Sequence, residues 1–506
     1  MHDFVARAAS ECGSVSPAIA GTFAQRFFQF VPYSDSATGQ NGSLVDSAIA
    51  VLNEYAAYRG DTAQISVLKK SGKQGESSLI VVVQPDVPFL VDSIRMELNR
   101  RDLPVRSILS VILNAERAPD GSLLDLKANS NDANHCESAI CVETSALVDP
   151  EEIADLKAGL DSVLQDLQLA VTDFPTMRER ALAEAANLKQ TSFGQNSAEI
   201  AEAEEFLRWL ADDHFVFLGY DEHQILEEDG HRVLQPSPDS ALGTMKRHRK
   251  LRHWVLDALS VEARNFIETP RILNFVNSTH RSRIHRPVYP DYITVKRFDE
   301  SGEIVSACRF LGLFTSSVYN ELPSEIPVIR RKVANVLDKS TFALGGHYQK
   351  ALVGVLNAYP RDAMFQASEN EIFETAMGIV QVQETPRVRL FLRRNPYGRF
   401  FYCKVFVPKS VYHSELRQKI ERHLCKRLRA DDVELSMHMG EGELVRLRFV
   451  LRVPSVEQFD VDVRELEQEV VTIAQSWDDA FLATLRSQYD SSTADSRFRT
   501  YHQAFP

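Results

Sequence analysis

The stretch from Arg387 to Leu485 constrains the fold more tightly than any other part of this 506-residue chain. Two β-branched and aromatic runs, Arg387–Arg394 and Arg399–Pro408, are separated by Asn395-Pro396-Tyr397-Gly398, four residues that favour a tight turn. A helix is predicted at Ser414–Leu428, strands at Val433–Met439 and Glu443–Val453, and a long helix at about Val461–Leu485. The order β-β-α-β-β-α fits a two-layer sandwich, because strands and helices of this length bury their apolar sides only against each other.

A related alternation occupies Gln64 to Asp173. Ser78–Gln84 is a β-rich run, and Pro88–Arg101 places Leu90, Ile94 and Leu98 on one helical face. Pro104–Glu116 reads as a strand, Asp120-Gly121 as a turn and Ala139–Glu143 as a short strand. Asp149-Pro150-Glu151-Glu152 opens a second helix: Asp149 caps free amides, Pro150 suits the first turn and Glu152 completes a capping box. Ile153, Leu156, Leu160, Val163 and Leu167 form its apolar stripe, and Leu169–Thr172 is expected as a final strand. The expected order is β-α-β-β-α-β, a ferredoxin-like unit.

Between these blocks, polar helices are predicted at about Met177–Lys189 and Ser197–Asp212. Strands follow at His214–Tyr220, His231–Leu234, Arg271–Asn277, Asp291–Phe298 and Val305–Phe314, the last two joined by a hairpin turn at Asp299–Gly302. They imply a mixed, mainly antiparallel sheet of about five strands. Helices at Ser324–Lys339, Tyr348–Tyr359 and Asn370–Gln383 form a spacer, and the first 60 residues read as two helices. The length accommodates three or four domains.

A net charge of −13 disfavours broad binding to nucleic acid or anionic membranes. No apolar run is long enough for a membrane span, and the N-terminus lacks a basic region followed by an apolar block, so no signal peptide is expected. The six cysteines form no C-x-x-C pair, so incidental thiols are a better reading than a zinc site. A dinucleotide site needs a glycine-rich turn leading into a helix, and no G-x-G-x-x-G occurs; Gly440-Glu441-Gly442 lies between strands and reads as a hairpin turn. P-loop and H-E-x-x-H patterns are also absent.

Asp86–Ser93 (DVPFLVDS), Phe206–Tyr220 (FLRWLADDHFVFLGY), His280–Asp291 (HRSRIHRPVYPD), Tyr292–Asp299 (YITVKRFD), Arg309–Ser316 (RFLGLFTS), Ile326–Val333 (IPVIRRKV), Tyr359–Gln366 (YPRDAMFQ) and Arg387–Pro408 resemble, in order and spacing, the N-terminal region of the large bacterial NAD-specific glutamate dehydrogenases. The resemblance implies an α+β, multidomain chain of ferredoxin-like (ACT-like) sandwiches flanking a β-rich PAS-like domain, with helical linkers. The expected divisions are helices at 1–62, a first ACT-like domain at 63–175, a helical linker at 176–212, a PAS-like domain at 213–320, a helical spacer at 321–384, a second ACT-like domain at 385–492, and the start of a continuation at 493–506. It further implies a regulatory and oligomerisation segment of a cytoplasmic enzyme that oxidatively deaminates glutamate with NAD. NAD and the catalytic residues would lie outside this segment, which would have no cofactor or metal of its own and no activity alone. Its partners would be its own C-terminal catalytic domain, further subunits (a tetramer is expected) and an amino-acid effector. The alternative is a free-standing amino-acid sensor or scaffold.

Two candidate sites follow. Asp86, Pro88, Phe89, Asp92 and Ser93 fall where ACT-like domains meet an amino-acid effector, although Asp86 and Pro88 can equally serve as a helix start. Arg281, Arg283, His285, Arg286, Tyr289 and Asp291 form an anion-binding or interface cluster, or a network of salt bridges. Trp209, Asp212, Asp213 and His214 are best explained by capping and packing, and the basic run Lys246–His253 by a solvated face.

Overall fold

The computed structural model describes residues 2–12, 15–29, 41–60, 62–72, 75–127, 136–237, 239–248, 254–440, 442–454, 461–475 and 477–501. Three helices come first: α1 (His2–Glu11), α2 (Pro17–Gln29) and α3 (Asn41–Ala57). The first sheet holds β1 (Gln64–Gly72), β2 (Gly75–Pro85), β3 (Val105–Arg117), β4 (Leu123–Lys127) and β5 (Cys136–Ser145), in the order β1-β2-β5-β3-β4. Every neighbouring pair is antiparallel. Helix α4 (Leu90–Arg100) lies between β2 and β3, and α5 (Pro150–Thr191) follows β5.

Both faces of this sheet are covered, which is why Ser78–Gln84 reads as an unbroken apolar run instead of an alternating one. Ile80, Val82, Ile140 and Val142 pack against Ile94 and Leu98 of α4 and against Leu156, Leu160 and Leu164 of α5. Leu79, Val81, Val83 and Val111 pack against Phe23, Phe27, Leu52 and Tyr55 of the N-terminal helices. Arg117 pins those helices down. Its guanidinium forms a two-pronged pair with Glu137 at 2.7 and 2.8 Å, and also donates to the carbonyls of Tyr58 (2.7 Å) and Tyr55 (3.2 Å).

Two expectations for this block are corrected. Leu169–Thr172 is not a strand. It lies within α5, a 42-residue helix. The apolar stripe simply continues, from Leu160, Leu164 and Leu167 against the first sheet to Met177, Ala181, Ala185 and Leu188 against the next core. The residues expected as a separate linker from 176 begin inside that same helix. The missing strand is β1, which precedes the unit and pairs with β2. With β1 included, the order without the extra strand β4 is β-β-α-β-β-α: a ferredoxin-like sheet whose last strand is supplied from the N-terminal side.

Helix α6 (Ser197–Trp209) and a π-turn at Leu210–His214 lead into the central sheet. Its strands are β6 (Phe215–Glu228), β7 (His231–Pro236), β8 (Leu242–Gly243), β9 (Trp254–Val255), β10 (Leu273–Asn277), β11 (Asp291–Phe298) and β12 (Ile304–Phe314). They run β10-β11-β12-β6-β7-β9, with β8 also on β6. All pairings among them are antiparallel, in place of the expected mixed sheet. The hairpin at Asp299–Gly302 is present: Gly302 adopts φ +84° and donates its N–H to the Asp299 carbonyl at 2.9 Å. Short helices α7 (Met245–His248), α8 (Val261–Glu268) and α9 (Ser316–Asn320) decorate the sheet.

The spacer comprises α10 (Ile329–Ser340), α11 (His347–Asn357), α12 (Arg361–Gln366) and α13 (Glu369–Glu384). The third sheet, β13 (Arg389–Arg394), β14 (Phe400–Pro408), β15 (Asp432–Met439) and β16 (Leu444–Arg452), runs β13-β14-β16-β15. Helix α14 (Ser414–Leu428) joins β14 to β15, and α15 (Val463–Ala474) follows β16. The first and third units therefore share one strand arrangement. The single long helix expected at the end is instead α15, α16 (Trp477–Gln488) and α17 (Ser491–Tyr501); residues 502–506 lie outside the described residues.

One face of the third sheet is apolar. Phe401, Cys403, Val405, Leu447 and Phe449 pack on Leu416, Ile420 and Leu424 of α14 and Leu466 and Val470 of α15. The opposite face carries Arg393, Lys404, Arg446, Arg448, Asp432 and Glu434, and it turns towards the central sheet.

Candidate functional site

The segment between β10 and β11 reaches both ferredoxin-like units, and its neighbouring arginines part ways. Arg281 faces the third sheet: it donates to Asp432 at 2.7 and 3.0 Å and to the Val433 carbonyl at 3.1 Å. Its guanidinium lies 4.8 Å from the centre of the Tyr289 ring. The Tyr289 hydroxyl donates to the same Asp432 carboxylate, and its ring packs edge-on to Phe400 at 4.8 Å. Burial pushes the Asp432 carboxyl upward, but Arg281 and Tyr289 outweigh it and hold the pKa below the usual range.

Arg283 faces the first unit. It donates to Glu97 at 3.2 Å and to the Gly159 carbonyl at 3.1 Å. Glu97 is 2 % exposed and also receives Arg100 at 2.7 and 2.9 Å and Arg101 at 2.8 Å. Burial opposes ionisation there. The hydrogen bonds from Arg100 and Arg101 and the charge of Arg283 overcome it, and the carboxyl is held at about 2.

The two sequence-predicted sites meet. Phe89, at the start of α4, packs against His285 with ring centres 4.4 Å apart and the rings tilted by 45°. Both residues have left-handed backbones, φ +66° and +69°, which cost a non-glycine residue on the order of 1 kcal/mol or more. Burial, then the neighbouring Arg286, lowers the His285 pKa against the opposing pull of Asp92. Asp92 is exposed, whereas the other polar members of the segment have local partners. Asp86 accepts from Ser138 at 2.5 Å and does not cap α4, whose N-cap is Phe89 without a side-chain bond. Ser93 is fully buried and returns its hydroxyl to the Phe89 carbonyl at 2.8 Å. Pro88 is exposed beside the turn.

Arg286 and Asp291 turn inward. Arg286 donates to the Phe314 carbonyl at 2.6 Å, with its guanidinium 5.7 Å from the Tyr319 ring centre. Asp291 is buried at the start of β11 and accepts from Gln366 at 2.9 Å and Asn277 at 3.2 Å. Burial, and next the nearby Asp362, push its pKa well above the carboxylate range. Tyr402 closes this network by donating to Asn277 at 2.5 Å. Within the cluster, Arg281, Arg283, His285 and Tyr289 each contact a residue of one or the other ferredoxin-like unit.

The remaining candidates resolve into structural contacts. His214 stacks on Trp209 at 4.4 Å and pairs with Glu321 at 2.7 Å. Asp213 takes φ +55° at the kink. Of the basic run, Lys246, Arg247 and His248 are exposed, and on that solvated face they pair with Asp173 and Asp166 of α5. Residues 249–253 lie outside the described residues. Residue 441 of the Gly440–Gly442 turn does as well. Among the described residues all six cysteines are free, and no group of three or more His, Cys, Asp or Glu side chains is placed to hold a metal. No described helix is long and apolar enough to cross a membrane.

Sequence reasoning missed the partners Glu97, Asp362, Asp432 and Arg448. Each lies far from the cluster in sequence, and only the fold brings it there.

Comparison with known proteins fits this architecture. Residues 23–160 match the family model described as glutamate dehydrogenase, ACT1 domain; residues 326–385 match glutamate dehydrogenase, helical motif 1; and residues 389–478 match glutamate dehydrogenase, ACT2 domain. The chain is 35% identical over 493 residues to an NAD-specific glutamate dehydrogenase of Halomonas elongata and 34% identical over 494 residues to one of Pseudomonas aeruginosa. Each alignment covers 96% of this chain but only 31% and 30% of the respective relative. A Mycobacterium tuberculosis protein of the same name is 25% identical over 78% of the chain and 23% of its own length.

Proposed function

The chain is related along 96% of its length to NAD-specific glutamate dehydrogenases, and from that relationship we propose that it is the N-terminal regulatory and subunit-assembly portion of such an enzyme. On this reading the oxidative deamination of L-glutamate, and the NAD it uses, belong to the part of the relatives that this chain does not span. The chain carries no turnover of its own. The central antiparallel sheet is the PAS-like unit, the protein works in the cytoplasm, and the complete enzyme is a homo-oligomer.

The observation that carries the regulatory half is the double engagement of one loop. Arg283 holds Glu97 of the first ferredoxin-like unit while Arg281 and Tyr289 hold Asp432 of the other. A movement of either unit pulls on the same segment, which is what coupling between distant sites requires. Phe89 and His285, packed ring to ring with left-handed backbones, are the contact that an effector alters. Asp92 supplies an exposed carboxylate beside it for an ammonium group, with Asp86, Pro88 and Ser93 shaping the turn. Such an effector shifts the equilibrium only if it binds the states with this contact made and broken with different affinity.

Two measurements test this. The purified chain, given L-glutamate and NAD, is expected to form no NADH; formation proportional to chain concentration overturns the non-catalytic assignment. Calorimetric titration with the common amino acids is expected to find at least one that binds, with the heat lost in Phe89→Ala. Absence of binding by any of them removes the sensor role but leaves the assembly role standing.

A further inference from the structure

The two ferredoxin-like units differ at one sheet edge. Strand β3 of the first and β15 of the other hold the same place. Each follows the helix that leaves its sheet's second strand, and each pairs with the strand that precedes the next helix. In the first unit β3 is not the last strand, because β4 pairs antiparallel with its final four residues, Asn114–Arg117. Among the described residues the third sheet has no counterpart of β4 and ends on β15.

The two halves of β15 are treated differently. Arg281 of the central unit holds the first half, through the Asp432 carboxylate at 2.7 Å and the Val433 carbonyl at 3.1 Å. Residues 432–435 are half-buried, whereas Ser436, Met437, His438 and Met439 are all exposed. Met437 and Met439 stand opposite Leu447 and Val445, so they continue the helix-covered apolar face, yet they are 49 % and 51 % exposed. A sheet edge presents unpaired N–H and C=O groups to any other strand, and charged side chains are the usual guard. Strand β1 carries Lys69 and Lys70, β4 carries Asp125 and Lys127, and β13 carries Arg389, Arg393 and Arg394. Ser436–Met439 contains no Asp, Glu, Lys or Arg.

We propose that Ser436–Met439 pairs with the same four residues of a second copy of this chain, the two β15 strands running antiparallel about a two-fold axis. The β3–β4 pair is the precedent within the molecule: an added antiparallel strand on the last four residues of the equivalent strand. A two-fold contact must be self-complementary. With the axis normal to the sheet, the methionines of both copies gather on the helix-covered side, and Ser436 and His438 gather on the other. No carboxylate, lysine or arginine of the segment meets its own image, so the repulsion that opposes self-pairing of a charged edge is missing. This contact rests on the homo-oligomer proposed above only in that it names one of its interfaces.

The test follows the mass of the whole 506-residue chain by light scattering across a concentration series. The mass is expected to rise from one chain to two. Met437→Lys and Met439→Lys each bring two lysines onto the joined edge and are expected to hold the mass at one chain. Leu124→Lys, on the exposed edge strand β4, is expected to leave the rise unchanged. Hydrogen exchange on the unaltered chain gives a second readout that needs no substitution. Amides of 436–439 should exchange more slowly at high concentration, and those of Leu123–Lys127 should not change. A one-chain mass at every concentration, a dimer that survives both methionine substitutions, or exchange at 436–439 that ignores dimer formation overturns the proposal. A surviving dimer overturns this contact alone and leaves the homo-oligomer standing. A one-chain mass removes the contact, while the mass of the complete enzyme decides the homo-oligomer separately.

Discussion

Arg283 brings its guanidinium 3.2 Å from Glu97, a carboxylate 186 residues earlier in the chain that already holds Arg100 and Arg101. The three cations keep Glu97 ionised in a nearly fully buried position, with the carboxyl held at about 2 against an ordinary 4.5. A folded-state pKa below the unfolded one means stability that is present above about 4.5 and lost as pH falls towards about 2. The depression corresponds to about 3 kcal/mol. Glu97→Gln is therefore expected to lower unfolding stability by about that amount at pH 7, and the gap to the unaltered chain is expected to close as pH drops through this window. Urea unfolding at a series of pH values checks both. A gap that does not change with pH would show that the carboxylate charge is not what Glu97 contributes.

Arg281 and Asp432 form the other end of the clamp, half-buried and geometrically forked. A double-mutant cycle with Arg281→Ala and Asp432→Ala is expected to give a coupling of about 1–3 kcal/mol. Hydrogen exchange offers a local readout. Amides of 278–290 and of β15 should exchange faster in either variant, while those of β2 and β5, buried in the first sheet, should not change. Faster exchange throughout the chain points to a fold-wide role for the pair and argues against a clamp.

Lys332 illustrates a purely structural use of buried charge. Its ammonium donates to the carbonyls of Met364, Phe365 and Ala367, each at 2.8 Å, and so satisfies the open C-terminal end of α12. Lys332→Met keeps the stem but leaves these acceptors without a donor, so a loss of about 2–4 kcal/mol is expected in the unfolding transition. Lys296, which donates to Ile267 at 2.6 Å and Thr269 at 2.7 Å, repeats the device at α8. Its methionine variant should behave alike, and a loss below about 1 kcal/mol in both would mean that water replaces the ammonium.

The fold is most legible where a turn signal separates the strands. Asn395-Pro396-Tyr397-Gly398 marks the hairpin of the third sheet, and Gly398 takes φ +69° there as its position demands. The equivalent hairpin of the first sheet escapes a reading of the sequence. Its first strand, QISVLKKSG, carries Lys69 and Lys70, charges that suit an edge strand but hide its pattern. That omission makes Leu169–Thr172 look like the strand needed to finish the sheet, although four apolar or β-branched residues fit a continuing helix as well. The candidate site is half legible. The crowding of arginines between 281 and 286 announces an anion-seeking segment, but their anions prove to be Glu97 and Asp432, acids far from them in sequence. The pairing depends on how three sheets pack, and no local pattern encodes it.

Asp291 gives a pH test of opposite sign to Glu97. It is buried beside Asp362, accepts hydrogen bonds from Gln366 and Asn277, and has its pKa raised well above 3.8 by burial first and Asp362 second. A carboxyl that binds its proton more tightly when folded contributes stability at low pH, and loses it as pH rises above the unfolded value. Asparagine preserves the accepting oxygen and replaces the rest of the group with a neutral amide of the same shape. Asp291→Asn is therefore expected to match the unaltered chain near about pH 4 and to exceed it in stability at about pH 7. The advantage should grow steadily between the two. Thermal or urea unfolding across that range measures it. A variant that loses ground as pH rises would mean that the ionised carboxylate, held by Arg448 and Arg286 across the junction, is the form the folded protein prefers.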